Sequence, residues 1–382
     1  MSNEEKLINE SNINNASIDA WKQEGKKIIG TICCHVPEEI IHAAGALPVR
    51  LRATGCTEDS SAEVWMSAFS CSFARSCLEF LMDGTYDYMD GLVGSDGCLM
   101  AGRIYDNWRY AGKDKIEGKD YYLQQMGVPR MLKDTTLPFY QRELEDMKKG
   151  LEAFTGNEIT EEKLQASVDL YNETRSLIRD LYELRKSDNP VITGEESLRM
   201  TMAAMTMPKE EYNTLMKGFL EEAKTKEPIK NKRARLMIIG SALDDPEYIK
   251  VIEDQGGLVV TDATCYGSRY LWEPVEVDDT GVMASLTKSY LSRPTCPRMT
   301  NLHDELHDFI LKAVEDYKVD GVIYIRMKYC EIWGGESVFF EDKFKAANIP
   351  MITLEREEIM TSSGQLAVRA GAFIEMIEGG EK

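Results

Sequence analysis

The fold class is indicated by one stretch, Lys27–Leu51, which has the sequence KIIGTICCHVPEEIIHAAGALPVRL. A short apolar strand over Lys27–Cys33 is followed by a helix and by a second strand over Leu47–Leu51. The helix begins at Pro37, carries two glutamates at its positive end and ends at Gly45. A strand, a helix and a strand within so few residues predict a βαβ unit and therefore a parallel sheet.

The same alternation occurs on both sides of a helical segment. The N-terminal part continues with a predicted helix and two predicted strands, at Cys71–Met82, Asp90–Gly94 and Val128–Leu132. From about Arg142 to Lys226 the sequence has helical periodicity with charge pairs at i,i+4. The C-terminal part alternates again, with predicted strands and helices at Arg235–Gly240, Pro246–Gly256, Leu258–Asp262, Leu302–Tyr317, Gly321–Ile325, Glu341–Ala347, Pro350–Leu354 and Gly364–Met376.

This pattern predicts an α/β protein with two open parallel-sheet domains of flavodoxin-like or Rossmann-like type. We expect an N-terminal α/β domain over residues 1–141, a helical subdomain over 142–226 and a C-terminal α/β domain over 227–382. Within the helical subdomain, the Met-rich stretch Met200–Met207 is expected to fill gaps in the core.

Composition and charge exclude several classes of function. The 382 residues are 43% apolar and 29% charged, as in soluble globular proteins. The net charge of −20 argues against binding to nucleic acid or to an anionic membrane surface. No apolar run approaches the ~20 residues of a membrane helix. The N-terminus, MSNEEKLINESNINNAS, lacks the pattern of a signal peptide, so we expect a cytoplasmic protein.

The nine cysteines are placed in a way that predicts a metal centre. Disulfides are not expected in a reducing cytoplasm. The alternative to a metal centre is that the cysteines serve as small buried apolar residues. Several of them follow predicted strands, and ligands of open α/β sheets bind beyond the carboxyl ends of the strands. The cysteines at strand ends, at a helix start and in a proline-bracketed loop are Cys33, Cys34, Cys71, Cys98, Cys265, Cys296 and Cys330.

The spacing of these cysteines favours an iron–sulfur cluster over zinc. There is no CxxC pair and no zinc-finger arrangement. Long, irregular separations suit a cluster built from several loops. Glycines beside the cysteines are expected to let the backbone approach inorganic sulfide; they are Gly97, Gly267, Gly334 and Gly335.

Other motifs are weak or absent. The chain has no phosphate-binding G-x-x-x-x-G-K-[ST] loop, so we do not expect it to hydrolyse ATP by itself. One pair of histidines, His303 and His307 in HDELH, has helical spacing, and we expect this pair on a solvated helix face.

With these residues identified, the chain resembles the oxygen-sensitive iron–sulfur component of the 2-hydroxyacyl-CoA dehydratase and benzoyl-CoA reductase family. The resemblance covers nearly the whole chain, and the order of its segments makes it specific. Those segments are PEEIIHAAGALPVR (Pro37–Arg50), CSFARSCLEF (Cys71–Phe80), the strand before Cys98, CYGSRY (Cys265–Tyr270), RPTCPRM (Arg293–Met299), KYCEIWGGE (Lys328–Glu336) and GQLAVRAGAFIEM (Gly364–Met376).

The resemblance implies an activity that fits the missing phosphate-binding loop. In this family a separate homodimeric ATPase, which carries its own 4Fe–4S cluster, transfers an electron to the component at very low potential. Each chain of the dehydratases holds one 4Fe–4S cluster on three cysteines, and the matching positions here are Cys71, Cys98 and Cys330. The open fourth iron site can hold substrate or water.

Additional cysteines make the chain resemble the double-cubane branch of that family. The dehydratase pattern lacks a cysteine before the P-E-E helix, whereas Cys33 and Cys34 stand there, and Cys265 and Cys296 lie in the second half. The family pattern places the ligand four residues before the proline, which favours Cys33 over Cys34. Six thiolates suffice for two cubanes that share a sulfide, an 8Fe–9S cluster. The six expected ligands are Cys33, Cys71, Cys98, Cys265, Cys296 and Cys330.

Two functions follow from the resemblance and remain open at this point. The first is a homodimeric, ATP-dependent reductase of a small molecule with a double cubane. The second is a subunit of a (R)-2-hydroxyacyl-CoA dehydratase or benzoyl-CoA reductase, which has one 4Fe–4S cluster, acts on an acyl-CoA and pairs with a paralogous subunit. An electron-transfer or cluster-storage protein and a non-metal α/β enzyme are further alternatives.

Reduction of a substrate also requires a proton donor within hydrogen-bond reach. Three residues beside cluster cysteines are candidates for this catalytic role, namely His35, Glu331 and Glu336. The alternative is that His35 packs against the following helix and that Glu336 is a solvated turn residue. Cys56 and Cys77 are expected to be structural.

Overall fold

Two four-stranded parallel sheets form the framework of the chain in a computed structural model, which describes residues 1–270, 273–293, 296–360 and 363–380. The first sheet has the order β2-β1-β3-β4 and the second has the order β6-β5-β7-β8, so one topology occurs twice. All six strand pairs are parallel, which confirms the predicted α/β class with two open parallel sheets. The strands are β1 (Ile28–Thr31), β2 (Leu47–Arg50), β3 (Gly91–Ser95), β4 (Tyr122–Met126), β5 (Ala234–Gly240), β6 (Gly257–Ala263), β7 (Gly321–Met327) and β8 (Met351–Arg356).

Helices cover each sheet, so even its strands at one edge are buried. All residues of β1, β2, β3 and β6 are buried, and their sequences are mostly apolar rather than alternating, with Arg50 at the end of β2 and Asp262 near the end of β6. The edge strand β4 is only partly buried and contains two glutamines, and the prediction missed it for that reason. The strand predicted at Val128–Leu132 is wrong: β4 ends before it, and Pro129 lacks the N–H that a sheet ladder requires.

Of the helices described in the N-terminal part, only the one after β1 and the one at Ser72–Met82 were predicted. The first two begin at a side-chain cap: Ser2 forms a capping box with Glu5, and Asn15 accepts from the Ile18 N–H. The helices of this part are α1 (Asn3–Glu10), α2 (Ala16–Gln23), α3 (Glu38–Ala43), α4 (Ser72–Met82), α5 (Leu99–Ala111) and α6 (Lys113–Ile116), with a short 3₁₀ turn at Ala62–Val64.

The middle of the chain is helical, as predicted, and comprises α7 (Leu137–Thr155), α8 (Glu161–Lys186), α9 (Gly194–Ala203) and α10 (Lys209–Ala223). Helix α1 is joined to α10 by Asn3, whose amide donates to Glu222 over 2.6 Å. Four methionines of the stretch Met200–Met207 are at most 1% exposed, which confirms their place in the core. The division of the chain into three domains after residues 141 and 226 stays a prediction.

The C-terminal helices are α11 (Pro246–Glu253), α12 (Val282–Ser292), α13 (His303–Asp316), α14 (Glu331–Ala346) and α15 (Ser363–Gly380). Helix α14 begins ten residues before the predicted helix at Glu341, so the turn expected around Glu336 is wrong. The Gly334–Gly335 pair suggested a turn, yet both residues lie inside α14, and a Cβ at Gly335 would meet no atom within 4 Å.

Among the described residues, no helix is long and apolar enough to cross a membrane.

Candidate metal centre

A cavity of about 140 Å³ lies beyond the carboxyl ends of strands from both sheets. Its lining contains every cysteine predicted as a ligand, together with Cys34. Loops after β1, β3, β6 and β7 supply five of these cysteines. Cys71 directly precedes α4, and Cys296 lies in the segment between α12 and α13. The prediction that these cysteines gather at strand ends therefore holds, whereas their role as ligands stays a prediction. Pro294 of the predicted proline-bracketed loop lies outside the described residues.

Three of the cysteines cap the N-termini of helices. Cys71, Cys98 and Cys330 are the N-cap residues of α4, α5 and α14. The sulfur of Cys98 accepts a hydrogen bond of 3.3 Å from the Ala101 N–H. Helix N-termini carry partial positive charge and unpaired N–H groups, so each of these positions offsets part of the cost that burial imposes on an anionic thiolate.

The cysteines fall into two groups according to which thiols shift the pKa of one another. Burial, together with the neighbouring thiols of Cys330 and Cys98, raises the pKa of Cys71 to about 12. We call Cys71, Cys98 and Cys330 the first cysteine group. Burial likewise raises the pKa of Cys296 to about 12, and here the thiols that act in the same direction are Cys34 and Cys265.

Cys33 joins the second of these groups through its neighbour. A hydrogen bond from Cys33 to Cys34 raises the pKa of Cys33 and lowers that of Cys34. The second cysteine group is therefore Cys33, Cys34, Cys265 and Cys296. Each group draws on loops or helix starts from both halves of the chain.

The position of Cys33 is fixed by its backbone and by a glycine. Its φ of 78° lies in the left-handed region, which a cysteine seldom adopts. A Cβ at Gly97 would stand 2.5 Å from the Cys33 sulfur, so only glycine fits opposite it. The expectation for the other glycines is not met, because a Cβ at Gly267 would meet Asp262 and Gly334–Gly335 lie within α14.

Buried arginines surround the thiols, although the chain as a whole is acidic. Arg50, Arg269 and Arg298 line the cavity and are each 3% exposed. The Arg50 guanidinium lies 4.6 Å from the Tyr266 ring centre, and that of Arg269 lies 4.8 Å from the Trp333 ring centre.

These arginines have hydrogen-bonding capacity that the described residues do not satisfy. Nε and Nη1 of Arg50, Nη1 of Arg269 and Nε of Arg298 are buried without a hydrogen-bond partner in the described parts of the chain. Burial opposes the charge of Arg50, but Tyr266 and cavity thiols outweigh it and raise its pKa. Unpaired buried N–H groups on cations are costly, and a thiolate-ligated anionic cluster is a group that would satisfy them. The cavity therefore fits an anionic iron–sulfur cluster.

The three predicted proton donors lie outside the cavity lining. His35 is fully buried beside Cys34, and burial lowers its pKa to about 4. Its Nδ1 lies 3.1 Å from the Tyr290 carbonyl, and its own carbonyl accepts from the Tyr140 hydroxyl. Glu331 is exposed at the start of α14. These hydrogen bonds run to α12 and α7 rather than to the helix that follows His35, and a proton-transfer role for His35 stays a prediction.

The burial of Glu336 and of the two histidines of α13 differs most from the predicted exposure to solvent. Glu336 is buried within α14, so it is not a solvated turn residue. His307 is 3% exposed and lies 2.5 Å from Glu336, so a solvated helix face is wrong for this pair. The helical spacing placed both histidines on one face of α13, but only the packing of α14 against α13 shows that this face is covered.

Two features of the centre were missed, although the sequence contains a signal for each. A cysteine at the start of a predicted helix, as Cys71 in CSFAR (Cys71–Arg75), is a signal for an N-cap position. A charged residue that ends an apolar strand, as Arg50 does in LPVR, is a signal for a cation at the ligand edge of the sheet. Cys56 and Cys77 are buried away from the cavity lining, in the core around α4.

Comparison with known proteins agrees with the site. The family model for 2-hydroxyglutaryl-CoA dehydratase, D-component, matches residues 33–377. The chain is 27% identical to a benzoyl-CoA reductase subunit of Thauera aromatica, over 94% of this chain and 93% of that protein.

Two dehydratase subunits are similar over comparable lengths. Identity is 24% to the (R)-phenyllactyl-CoA dehydratase beta subunit of Clostridium sporogenes, over 99% of this chain and 100% of that one. It is also 24% to the beta subunit of (R)-2-hydroxyglutaryl-CoA dehydratase of Acidaminococcus fermentans, over 94% of each. The chain therefore belongs to the 2-hydroxyglutaryl-CoA dehydratase, D-component family and is an enzyme component of that dehydratase and reductase family.

Proposed function

We propose that the chain is the iron–sulfur component of an ATP-dependent, low-potential reductase of the double-cubane type. The observation that carries the proposal is a single cavity lined by seven cysteines, which includes the six thiolates that two cubanes with three ligands each require. The first group, Cys71, Cys98 and Cys330, would hold one cubane. Cys265, Cys296 and either Cys33 or Cys34 would hold the other.

The residues of the cavity fit two cubanes that share a sulfide. When bound, such a cluster supplies electrons at low potential, down to about −700 mV for iron–sulfur centres. Three helix N-termini and the buried guanidinium groups of Arg50, Arg269 and Arg298 offset the negative charge of the thiolates. Tyr266 and Trp333 hold two of these cations in place by cation–π contacts.

The electron donor in this proposal is a separate ATP-hydrolysing activator with its own 4Fe–4S cluster. The chain has no phosphate-binding loop of its own, which supports the need for such a partner. A homodimer is the assembly that goes with the double-cubane type. Substrate reduction is expected to require both the activator and ATP.

Proton supply stays a prediction for His35, Glu331 and Glu336. His35 is adjacent to Cys34 in sequence, and Glu331 is adjacent to Cys330. Glu336 lies one and a half turns further along α14 and is bonded to His303 and His307. Substitution of each by glutamine, with iron content measured in the same preparations, would show which of them turnover requires.

A second function is favoured by the names of the relatives. They are subunits of an acyl-CoA reductase and of acyl-CoA dehydratases. Under this alternative the chain holds a single 4Fe–4S cluster on the first cysteine group, pairs with a paralogous subunit and acts on an acyl-CoA. The second cysteine group would then carry no iron.

Paired variants distinguish the two functions. The first pair, Cys265→Ser with Cys296→Ser, removes two ligands of the second group, and the matched pair, Cys71→Ser with Cys98→Ser, removes two ligands of the first. The double-cubane proposal predicts that the first pair loses about half of the iron of anaerobically purified protein. Full iron retention in that pair, with loss confined to the matched pair, would support the single-cluster alternative. Turnover with the activator then separates an enzyme from a cluster-storage protein.

A further inference from the structure

A second cluster of metal-ligating side chains lies outside the cysteine cavity. It consists of His303 and His307 on α13 and Glu336 on α14, and their ligand atoms all lie within 4.8 Å of one another. Ring contacts run from Trp333, which lines the cavity, through Tyr324 and Phe340 to His307, with the Phe340 and His307 ring centres 4.4 Å apart. None of the three side chains of the cluster lines the cavity.

The three side chains converge on one point because of their positions on two packed helices. His303 and His307 are four residues apart, so their side chains lie one above the other on the same face of α13. The Nε2 atom of His307 lies 2.5 Å from Oε1 of Glu336, and Nδ1 of His303 lies 3.2 Å from the same oxygen. Glu336 thus provides the third donor from the opposing helix.

Burial makes this cluster unusual for a set of polar groups. The side chains of His307 and Glu336 are 4% and 3% exposed, whereas that of His303 is 37% exposed. Nδ1 of His307 is buried without a hydrogen-bond partner among the described residues. A buried carboxylate between two imidazoles is compensated best by a positive charge placed between the donors.

We propose that His303, His307 and Glu336 bind one divalent transition-metal ion, Zn²⁺, at a site separate from the cysteine cavity. Two imidazoles and a carboxylate are a common zinc donor set, and the partly exposed side of His303 leaves room for a water as the fourth ligand. Donors bound to one zinc ion at about 2.0–2.1 Å stand roughly 3.4 Å apart in a tetrahedral site. The two separations from Glu336 to the imidazole nitrogens need to open by less than about 1 Å, and the partly exposed His303 has room to adjust.

The zinc ion would link two helices that begin near the cysteine cavity, and this link acts as a clamp between them. Helix α13 follows the segment with Cys296, and α14 begins directly after Cys330. Those cysteines belong to the second and first cysteine groups, so the clamp would hold one thiol of each group in a fixed relation. This proposal does not depend on the number of iron–sulfur clusters, because none of its three ligands lines the cavity.

Zinc binding to the anaerobically purified holoprotein tests the proposal. The protein is equilibrated with Zn²⁺, freed of loose metal by gel filtration, and analysed for zinc, iron and zinc X-ray absorption. We expect about one zinc per chain with nitrogen and oxygen neighbours at about 2.0–2.1 Å and no sulfur shell at about 2.3 Å. The variants His303→Ala and Glu336→Gln should weaken binding at least about tenfold with iron unchanged.

A matched control comes from another histidine–glutamate pair. Nε2 of His42 lies 3.2 Å from Oε1 of Glu210, but this pair lacks a second histidine, so His42→Ala should keep the zinc. A wild-type protein without bound zinc would overturn the proposal. So would a sulfur shell around the zinc, or equal zinc binding by wild type, His303→Ala and Glu336→Gln. Because His303 is partly exposed, its variant remains informative if Glu336→Gln does not fold.

Discussion

Replacement of Gly97 by alanine tests whether the turn at Cys33 is held in place by the loop after β3. The added Cβ would stand 2.5 Å from the Cys33 sulfur and 3.1 Å from the Ser95 hydroxyl. Non-bonded heavy atoms rest at about 3.5–4.0 Å, so the methyl group and the sulfur overlap by roughly 1.0–1.5 Å. The sulfur can relieve this overlap only by rotation about χ1 or by a shift of the loop, and either change alters its position in the cavity.

Overpacking of this size is expected to destabilise the fold by about 1–3 kcal/mol. Displacement of Cys33 should also lower the iron content from about eight toward about four per chain, because the second cysteine group loses its geometry. Anaerobic thermal unfolding and iron analysis measure the two effects.

Gly335→Ala is the matched control for this variant. It adds the same methyl group inside α14, where no atom lies within 4 Å, and should keep the iron and raise stability by about 0.5–1 kcal/mol. A Gly97→Ala protein with full iron and the melting temperature of the wild type would refute the reasoning.

Three further predictions concern charge, ligand choice and pH. Arg50→Met should lower the reduction potential of the bound cluster by on the order of 100 mV, because two unit charges at an assumed separation of about 6 Å interact by about 3 kcal/mol at an effective dielectric constant of about 20; a redox titration with an unchanged potential would contradict this role. Cys33→Ser should lose iron while Cys34→Ser keeps it, and the reverse result would assign the ligand to Cys34. Burial raises the pKa of Glu253 to about 7 from a usual 4.5, although three backbone N–H groups oppose the shift. The stability linked to this group is therefore complete below about pH 4.5 and is lost as the pH rises through about 7. Glu253→Gln should flatten the pH dependence of the urea midpoint between about pH 4.5 and about pH 7, and an unchanged slope would show that other groups cause it.

The sequence predicted the elements whose signal is local. Continuous apolar runs predicted all of the strands except β4, which is a polar edge strand, and helix α7 begins before its predicted boundary because Pro138 suits a first turn. The gathering of cysteines at strand ends could be predicted because the topology of open parallel sheets fixes where loops meet.

Features that depend on distant packing could not be predicted in the same way. His307 and Glu336 are 29 residues apart and meet only because α14 packs on α13. The arginines of the cavity come from strands and loops of both halves, so their convergence on the thiols is a property of the tertiary fold. The early start of α14 was obscured by Gly334–Gly335, since paired glycines usually end a helix rather than lie within one.

The central claim, that one chain holds two cubanes between the two cysteine groups, is tested most directly by diffraction from anaerobically grown crystals at the iron absorption edge. The anomalous map locates every iron atom and the sulfur atoms that bind it. We expect about eight iron sites per chain, half of them beside Cys71, Cys98 and Cys330 and half beside Cys265, Cys296 and the Cys33–Cys34 turn. A map with about four iron sites, all beside the first cysteine group, would contradict the double-cubane assignment.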